Sequence, residues 1–167
     1  PAVRLLGTLR TLDARPRSGR WNLNIDRQGL GLGQIPLRAP TVFNFFQPGY
    51  ALPGEIAQSG LVSPEFQIAT ETTVVGAANV YRSLFGTGGL TGPLMFNLTP
   101  FQAPQVASDA ALLDKVSLVL FAGAMSDPTR AILSAALADP DFPRQADNRV
   151  LTLLWLSGLT PESVVQK

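Results

Sequence analysis

The chain has 167 residues, of which 46% are hydrophobic and 15% are charged, and its formal net charge is +1. It contains no cysteine and no histidine, which excludes disulfides, thiolate nucleophiles, Cys/His zinc sites, a Ser–His–Asp triad and His-ligated haem within this chain. The length predicts one domain. The charged fraction is below the usual value of about 25% and the mean hydropathy is positive, which argues against disorder. The same two features predict a chain that buries more surface than usual or hides some of it against a partner.

Neither nucleic-acid binding nor a transmembrane segment is predicted. Arg15, Arg17 and Arg20 lie close together, but three arginines do not make the clustered basic footprint of a nucleic-acid interface, and we interpret them as a solvated loop. The longest uncharged stretch, residues 83 to 108, is interrupted by several glycines and prolines. This stretch is therefore not predicted to form a membrane-spanning helix.

The N-terminal region begins with a predicted helix. Apolar residues between positions 2 and 13 recur at helical spacing. Residues 15 to 38 are rich in Gly and Pro and are predicted to be mostly loop, with a short turn near Leu23. The GLGLG run at 29 to 33 has no preceding strand and no following helix, so we reject a phosphate-binding loop.

The middle of the chain contains two further helix signals after a short helical turn predicted around Ile56. Ser63-Pro64-Glu65 combines a capping hydroxyl, a proline at the first helical position and a carboxylate near the positive helix end. A longer helix is predicted near residues 70 to 85 and is ended by the glycines at 86 to 89. Its buried stripe is predicted to be Val74, Ala77, Ala78, Tyr81, Leu84 and Phe85.

The second half begins with an irregular strap, residues 90 to 106, and such long loops are often functional or pack over the core. The strap contains Asn97-Leu98-Thr99, a glycosylation triplet, but these triplets are common by chance and Pro100 follows. Helices are predicted to start at Ser108-Asp109, at Ser126-Asp127-Pro128 and near 147 to 156, and a last turn opens at Thr160-Pro161-Glu162. The predicted fold is all-α: one irregular helical domain, 1 to 167, of about six helices with long Pro/Gly-rich straps.

An aromatic segment, PTVFNFFQPGY at 40 to 50, is the first candidate site. It carries Phe43, Phe45, Phe46 and Tyr50, with Asn44 between the aromatic residues. Because burying one Phe contributes roughly 1.5–3 kcal/mol and the neighbours are apolar, we favour an anchor that ties this loop into the core. The alternative is a surface that binds a ligand. Asn44 is expected to cap or bond nearby backbone.

Three aspartates, Asp139, Asp141 and Asp147, raise the possibility of a calcium site. The segment ADPDFPRQAD lacks the glycine and the final glutamate of an EF-hand loop. We therefore interpret these residues as helix-terminating and solvated, and we predict no metal and no cofactor.

Four stretches closely resemble a bacterial family known as domain-of-unknown-function family 1800. They are APTVFNFFQPGY, PGEIAQSGLVSPEFQIATETTVVGAAN, LLDKVSLVLFAGAMSDPTRAILSAAL and RVLTLLWLSGLTPESVVQK, and together they run across nearly the whole chain. The resemblance implies a mostly helical C-terminal part of a longer exported protein, and hence a periplasmic or extracellular location. The resemblance implies no reaction, no cofactor and no catalytic residue for this chain.

A polar cluster is the second candidate site. It consists of Glu65, Gln67, Glu71, Thr72 and Asn79. A carboxylate in an apolar wall can act as an acid or base, and we hypothesise that the cluster lines a cleft shared with the N-terminal portion that the resemblance implies. The alternative is that Glu71 caps its helix or pairs with Arg82 or Arg38.

The function predicted from these features is a scaffold or interaction role without catalysis of its own. The expected partner is the N-terminal portion of the same protein or another protein, and self-association is a further possibility. One alternative is an enzyme whose site spans both portions and uses carboxylates such as Glu71. Another is an extracellular carbohydrate-binding module that uses Phe45, Phe46, Tyr50 and Trp21.

Overall fold

The computed structural model describes residues 2–21, 31–35, 37–85 and 93–164. This part of the chain is mostly helical, which confirms the predicted fold class. The α-helices are α1 (Ala2–Thr11), α2 (Glu55–Gln58), α3 (Glu71–Phe85), α4 (Thr99–Ala107), α5 (Asp109–Phe121), α6 (Asp127–Ala138) and α7 (Ala146–Gly158). Two 3₁₀ helices, Pro64–Ile68 and Pro161–Val164, and two strands, β1 (Arg15–Pro16) and β2 (Leu94–Met95), complete the described elements.

The chain divides into two compact units. Within the described ranges, unit 1 contains residues 2–6, 31–35, 37–80 and 164, and unit 2 contains residues 7–21, 81–85 and 93–163. Helices α1 and α3 contribute residues to both units. The turn predicted near Leu23 and the glycines predicted to end α3 lie outside the described residues.

Unit 2 is organised around α5. This helix packs against α4, α6 and α7, and both α4 and α6 also contact α7. Its buried residues Leu112, Leu113 and Val116 follow helical spacing. The facing helices contribute their own buried apolar residues, which are Phe101, Leu133, Leu137, Val150, Leu151, Leu153 and Leu154.

The α5–α6 connection is short, and the two helices pack against each other as a helical hairpin. Ala122 ends α5 in the left-handed conformation, with a φ of 51°, and the Gly123 N–H donates to the Ser117 carbonyl at 2.9 Å. The next helix begins at Ser126, whose Oγ accepts from the Thr129 N–H. At the start of α5, Ser108 Oγ likewise accepts from the Ala111 N–H at 3.0 Å.

The prediction of an irregular strap at 90 to 106 is wrong for much of that segment. Strand β2 pairs antiparallel with β1, and α4 follows it. Pro100 lies in the first turn of α4, where proline is tolerated, but Pro104 lies inside the helix and removes one backbone hydrogen bond. The buried Phe101 side chain and the packing of α4 on α5 and α7 offset that loss.

In unit 1 the start of α3 turns a polar residue inward. Thr73 Oγ1 donates to the Ile68 carbonyl at 2.7 Å. A Cβ added to Gly33, whose φ is +69°, would lie 2.9 Å from the Thr73 methyl group, so glycine is needed there. Val74, predicted to lie in the buried stripe, is instead 57% exposed. The rest of the predicted stripe is confirmed, since Tyr81, Leu84 and Phe85 are buried and Ala77 and Ala78 are half-buried.

Candidate functional site

The aromatic segment of unit 1 is held by hydrogen bonds to the chain around the first 3₁₀ helix. The Ser63 N–H donates to the Tyr50 carbonyl at 2.8 Å, and the Leu52 N–H donates to Ser63 Oγ at 3.1 Å. The Gln47 N–H donates to Gln67 Oε1 at 2.7 Å. Ser63 is fully buried, so its hydroxyl anchors the loop instead of capping the helix that follows. The helix start predicted at Ser63 forms as a 3₁₀ helix.

The beginning of the aromatic segment is a tight turn. The Asn44 N–H donates to the Thr41 carbonyl at 3.1 Å, and the Phe43 N–H donates to Thr41 Oγ1 at 3.2 Å. Asn44 closes the turn in the left-handed conformation, with a φ of 73°. It contributes through its backbone and its conformation, whereas the sequence predicted a role for its side chain.

The prediction that Phe43 is buried in the core is wrong. Its side chain is 80% exposed and its neighbour Val42 is 95% exposed, because both lie at the tip of the turn. Leu37 is fully exposed as well. The other three aromatic residues are half-buried, namely Phe45, Phe46 and Tyr50. We call the exposed residues Leu37, Val42 and Phe43 the apolar loop.

The apolar loop and the chain that follows it carry few charges, since Arg38 is the one charged residue from position 37 to position 54. No charged residue occurs from position 39 to position 54. Arg38 is the nearest preceding charge and Glu55 the nearest following one. Exposed apolar surface with few charged neighbours is typical of an interaction surface.

The predicted polar cluster does not form a buried cleft among the described residues of unit 1. Glu65 lies on the 3₁₀ helix and forms an ion pair with Arg4, with 3.5 Å between Oε2 and Nε. Gln67 binds the aromatic segment through the hydrogen bond described above. The three remaining residues, Glu71, Thr72 and Asn79, are exposed on α3. Glu65 and Gln67 therefore have structural partners, and a functional role for the cluster stays a prediction.

Unit 2 contains a groove of about 360 Å³ that the sequence did not indicate as a site. Its polar lining residues are Arg17, Asn97, Thr99, Gln102 and Asp147. Thus one groove presents a guanidinium, a carboxylate, two primary amides and a hydroxyl group. A cavity of this size with a few convergent polar groups has the general form of a ligand site.

Local structure positions the polar groups of the groove. The Arg17 N–H extends the β1–β2 ladder by donating to the Pro93 carbonyl at 3.0 Å. The Asn97 N–H donates to the Leu12 carbonyl at 2.8 Å, and Asn97 Oδ1 accepts from the Thr99 N–H at 3.2 Å. This side chain therefore closes an Asx turn immediately before α4.

Helix α7 supplies the carboxylate of the groove. Asp147 lies in the first turn of α7, where the positive helix end stabilises a negative charge. None of the ion pairs between described residues involves Asp147. Apolar walls are formed by Met95, Phe96, Leu98 and Leu151. Phe96 stacks on Phe85, with 5.1 Å between ring centroids.

Weak signals for the groove were present in the sequence. Residues 90 to 106 were singled out as a long loop of a kind that is often functional, and Asn97 and Thr99 lie within it. The sequence places Arg17 in a solvated loop and suggests for Asp147 only the rejected role of a calcium ligand. Their convergence depends on the β1–β2 pairing and on the packing of α4 on α7, which no local pattern reveals.

Among the three aspartates considered as calcium ligands, Asp139 has a structural role. Asp139 ends α6, and its Oδ1 accepts from the Asp141 N–H at 2.8 Å. Within the described ranges, no three acidic side chains are grouped so as to hold a metal ion. None of the helices in that part of the chain has the length and apolar character needed to cross a bilayer.

Comparison with known proteins gives one match. The family model described as "Protein of unknown function (DUF1800)" matches residues 1–162. No curated protein and no solved structure matches the chain significantly. The family match covers nearly all of the chain and agrees with the resemblance found in its motifs. The chain therefore belongs to the DUF1800 family.

Proposed function

We propose that this chain is an interaction module without catalysis of its own, and that the apolar loop of unit 1 is its docking surface. The observation that carries the proposal is the exposure of Leu37, Val42 and Phe43 within a segment that has almost no charge. Each of these side chains gains roughly 1.5–3 kcal/mol when it is fully buried. A protein surface that covers the loop would therefore be stabilised mainly by apolar contact.

The loop is well suited to specific docking because polar contacts hold its base. Ser63 and Gln67 fix the backbone at Gln47, Tyr50 and Leu52 through hydrogen bonds of 2.7–3.1 Å. A loop already anchored in this way loses less conformational entropy on binding than an unanchored loop.

The proposed occupant is the same surface of a second copy of this chain. The net charge of +1 gives two copies little electrostatic repulsion, and Arg38 is the one charged residue from position 37 to position 54. Pairing would bury three large apolar side chains from each copy, a gain of about 9–18 kcal/mol at full burial. Association costs about 4–15 kcal/mol, which is of the same size as this gain, so the dimer that we expect is weak and reversible.

The other functions considered from the sequence lack a supporting arrangement of residues. Glu71, the carboxylate of the enzyme alternative, is exposed at the start of α3, and Phe45 and Phe46, which the carbohydrate alternative needs, are half-buried. The proposal retains the periplasmic or extracellular location that the family resemblance implies. A chain without cysteine is compatible with that location.

Light scattering across a concentration series tests the proposal. The mass of the wild-type chain should rise from the monomer value of 17.8 kDa towards twice that value over about 1–100 µM. Phe43→Ser should remain monomeric over the same range. Ile132→Ser is the matched control, because Ile132 is an exposed apolar residue of α6 in unit 2. It should associate as the wild type does.

Two results would overturn the proposal. A wild-type chain that stays monomeric throughout would exclude the second copy as the occupant. If that monomer still bound a hydrophobic dye and Phe43→Ser abolished the dye signal, the surface would belong to a different partner, such as the N-terminal portion of the same protein. If Phe43→Ser associated as strongly as the wild type, the apolar loop would be excluded as the docking surface.

A further inference from the structure

We propose that the groove of unit 2 binds a neutral sugar of monosaccharide size, with hydroxyl groups of the sugar donating to the Asp147 carboxylate. The groove lies wholly within unit 2, and the inference does not depend on the apolar loop. It uses none of the aromatic residues that the sequence suggested for a carbohydrate site. It rests on the size of the groove, on the hydrogen-bonding groups that line it and on its apolar walls.

The groove lies where the first turns of two helices meet. Thr99 and Gln102 are three positions apart on α4, and the two residues of each such pair share a helix face. Asp147 and Leu151 are four positions apart on α7 and share a face for the same reason. Because α4 packs on α7, both faces line one cavity, and regular helices hold its walls in place without a ligand.

The size of the groove matches one sugar ring. Its volume of about 360 Å³ lies near the lower end of the range of small-molecule sites, about 300–1,000 Å³. The same volume holds about 12 water molecules at roughly 30 Å³ each, and a hexose has about 12 non-hydrogen atoms. A single hexose therefore fits the groove, with space for waters that bridge it to the walls.

Four polar side chains of the groove can bind a ligand. Among the described residues, no ion pair involves Asp147 and no side-chain hydrogen bond involves Gln102 or Thr99 Oγ1. Asn97 uses its Oδ1 atom within the chain, which leaves the Nδ2 atom to donate. Arg17 also lines the groove, but it interacts within the chain, so no ligand contact is assigned to it.

These side chains match the hydrogen bonding of hydroxyl groups. The Asp147 carboxylate only accepts and Asn97 Nδ2 only donates, whereas the Gln102 amide and the Thr99 hydroxyl do both. A hydroxyl donates and accepts at once, so one ligand with several hydroxyls can satisfy every group. An anion has no donor for Asp147 and is repelled by its charge. A cation has no acceptor for Asn97 Nδ2 and meets the charge of Arg17.

The beginning of α4 does not supply an anion site instead. The Thr99 N–H already donates to Asn97 Oδ1, and Pro100 has no N–H group. The Phe101 N–H donates to the Leu98 carbonyl at 2.9 Å. The donors that would hold a phosphate at a helix N-terminus are therefore occupied or absent here.

The apolar walls suit the carbon skeleton of a sugar. Phe96 lines the groove together with Met95 and Leu98, and its ring stacks on Phe85 with 5.1 Å between centroids. This stacking fixes the ring before a ligand binds, which lowers the entropic cost of binding. One face of a pyranose ring carries mainly C–H groups, and packing that face on the wall removes apolar surface from water.

Titration of the ¹⁵N-labelled full chain with monosaccharides tests the inference by nuclear magnetic resonance. The neutral probes are glucose, galactose, mannose and N-acetylglucosamine, and the charged probes are ethylammonium and acetate. At least one neutral sugar should shift the side-chain amide signals of Asn97 and Gln102 saturably. The expected Kd is about 1–10 mM, the affinity of about 12 non-hydrogen atoms at the efficiency of ordinary ligands. The charged probes should give no saturable shift over the same range.

Two variants separate specific contacts from general surface binding. Asp147→Asn should weaken the sugar that binds best about tenfold, because hydrogen bonds to a charged group are about twice as strong as neutral ones. Gln102→Ala should weaken it about threefold to tenfold, with the Asn97 amide as the reporter. Asp141→Asn and Gln58→Ala are the matched controls, since both residues are exposed and lie outside the groove. Both control variants should bind the sugar as the wild type does.

Three outcomes would overturn the inference. The first is the absence of saturable shifts at Asn97 and Gln102 with all four sugars. The second is equal affinity of the wild type and Asp147→Asn for the sugar that binds best, since its hydroxyls would then not meet the carboxylate. The third is tighter binding of ethylammonium or acetate than of any sugar, because that would make the groove an ion site.

Discussion

Glu162 is expected to contribute strongly to the stability of unit 2. It lies in the 3₁₀ helix Pro161–Val164, and its carboxylate accepts hydrogen bonds from two donors of Ser126 at the beginning of α6. The Ser126 N–H donates to Oε1 at 3.0 Å and to Oε2 at 3.2 Å, and Ser126 Oγ donates to Oε2 at 2.9 Å. The carboxylate therefore binds α6 where the helix dipole is positive.

The magnitude follows from these contacts. A hydrogen bond to a charged group contributes about 1.5–3 kcal/mol, and a carboxylate at a helix N-terminus contributes about 0.3–1 kcal/mol. Because the contacts share one part-buried carboxylate, we expect Glu162→Ala to lower the free energy of unfolding by about 2–3 kcal/mol. For a chain of this length, the midpoint of thermal unfolding should fall by about 4–12 °C.

Urea denaturation of four variants measures this contribution. Glu162→Ala, Ser126→Ala and their double variant form a cycle, and the coupling free energy should be about 1 kcal/mol or more. Glu55→Ala is the control, because Glu55 is an exposed carboxylate in the first turn of α2. It should change the free energy of unfolding by no more than about 0.5 kcal/mol. A loss in Glu162→Ala no larger than that of the control would refute the reasoning.

Two further predictions concern other contacts. Gly158→Ala should destabilise the chain by about 1–3 kcal/mol, because the new Cβ would lie 3.0 Å from Tyr81 Cε1. Gly7 lies in α1 with open space around it, so Gly7→Ala should raise the free energy of unfolding by up to about 1 kcal/mol. If urea denaturation showed that both substitutions change the free energy of unfolding in the same direction, this pair of predictions would be contradicted. Ser63→Ala should cost about 1–3 kcal/mol by leaving the Leu52 N–H unpaired, and unchanged hydrogen exchange at Leu52 would contradict that role.

Local signals in the sequence were sufficient for much of the fold. Ser108 and Ser126 mark the beginnings of α5 and α6 because their hydroxyls accept from N–H groups three residues later. Such contacts depend on neighbouring residues alone. Helix α4 was missed because its prolines oppose helix formation locally, while the burial of Phe101 against other helices favours it. Tertiary packing of this kind has no local sequence pattern.

The candidate sites were harder to predict, for two physical reasons. Phe43 is as hydrophobic as a typical core residue, but a turn closed by Asn44 in the left-handed conformation leaves the Phe43 side chain exposed. In the groove, Arg17 and Asp147 are separated by 130 positions in the sequence. Their approach requires the β1–β2 pairing together with the packing of α4 on α7. Neither requirement can be read from hydrophobic periodicity.

The most direct test of the apolar loop as a docking surface is a fluorescence measurement. The chain has no cysteine, so Val42→Cys provides one site for an environment-sensitive fluorophore, and Ile132→Cys provides a matched site in unit 2. As the concentration rises, we predict a blue shift of the emission at position 42 and none at position 132. Equal shifts at both positions, or no shift at position 42 while the mass doubles, would contradict docking through the apolar loop.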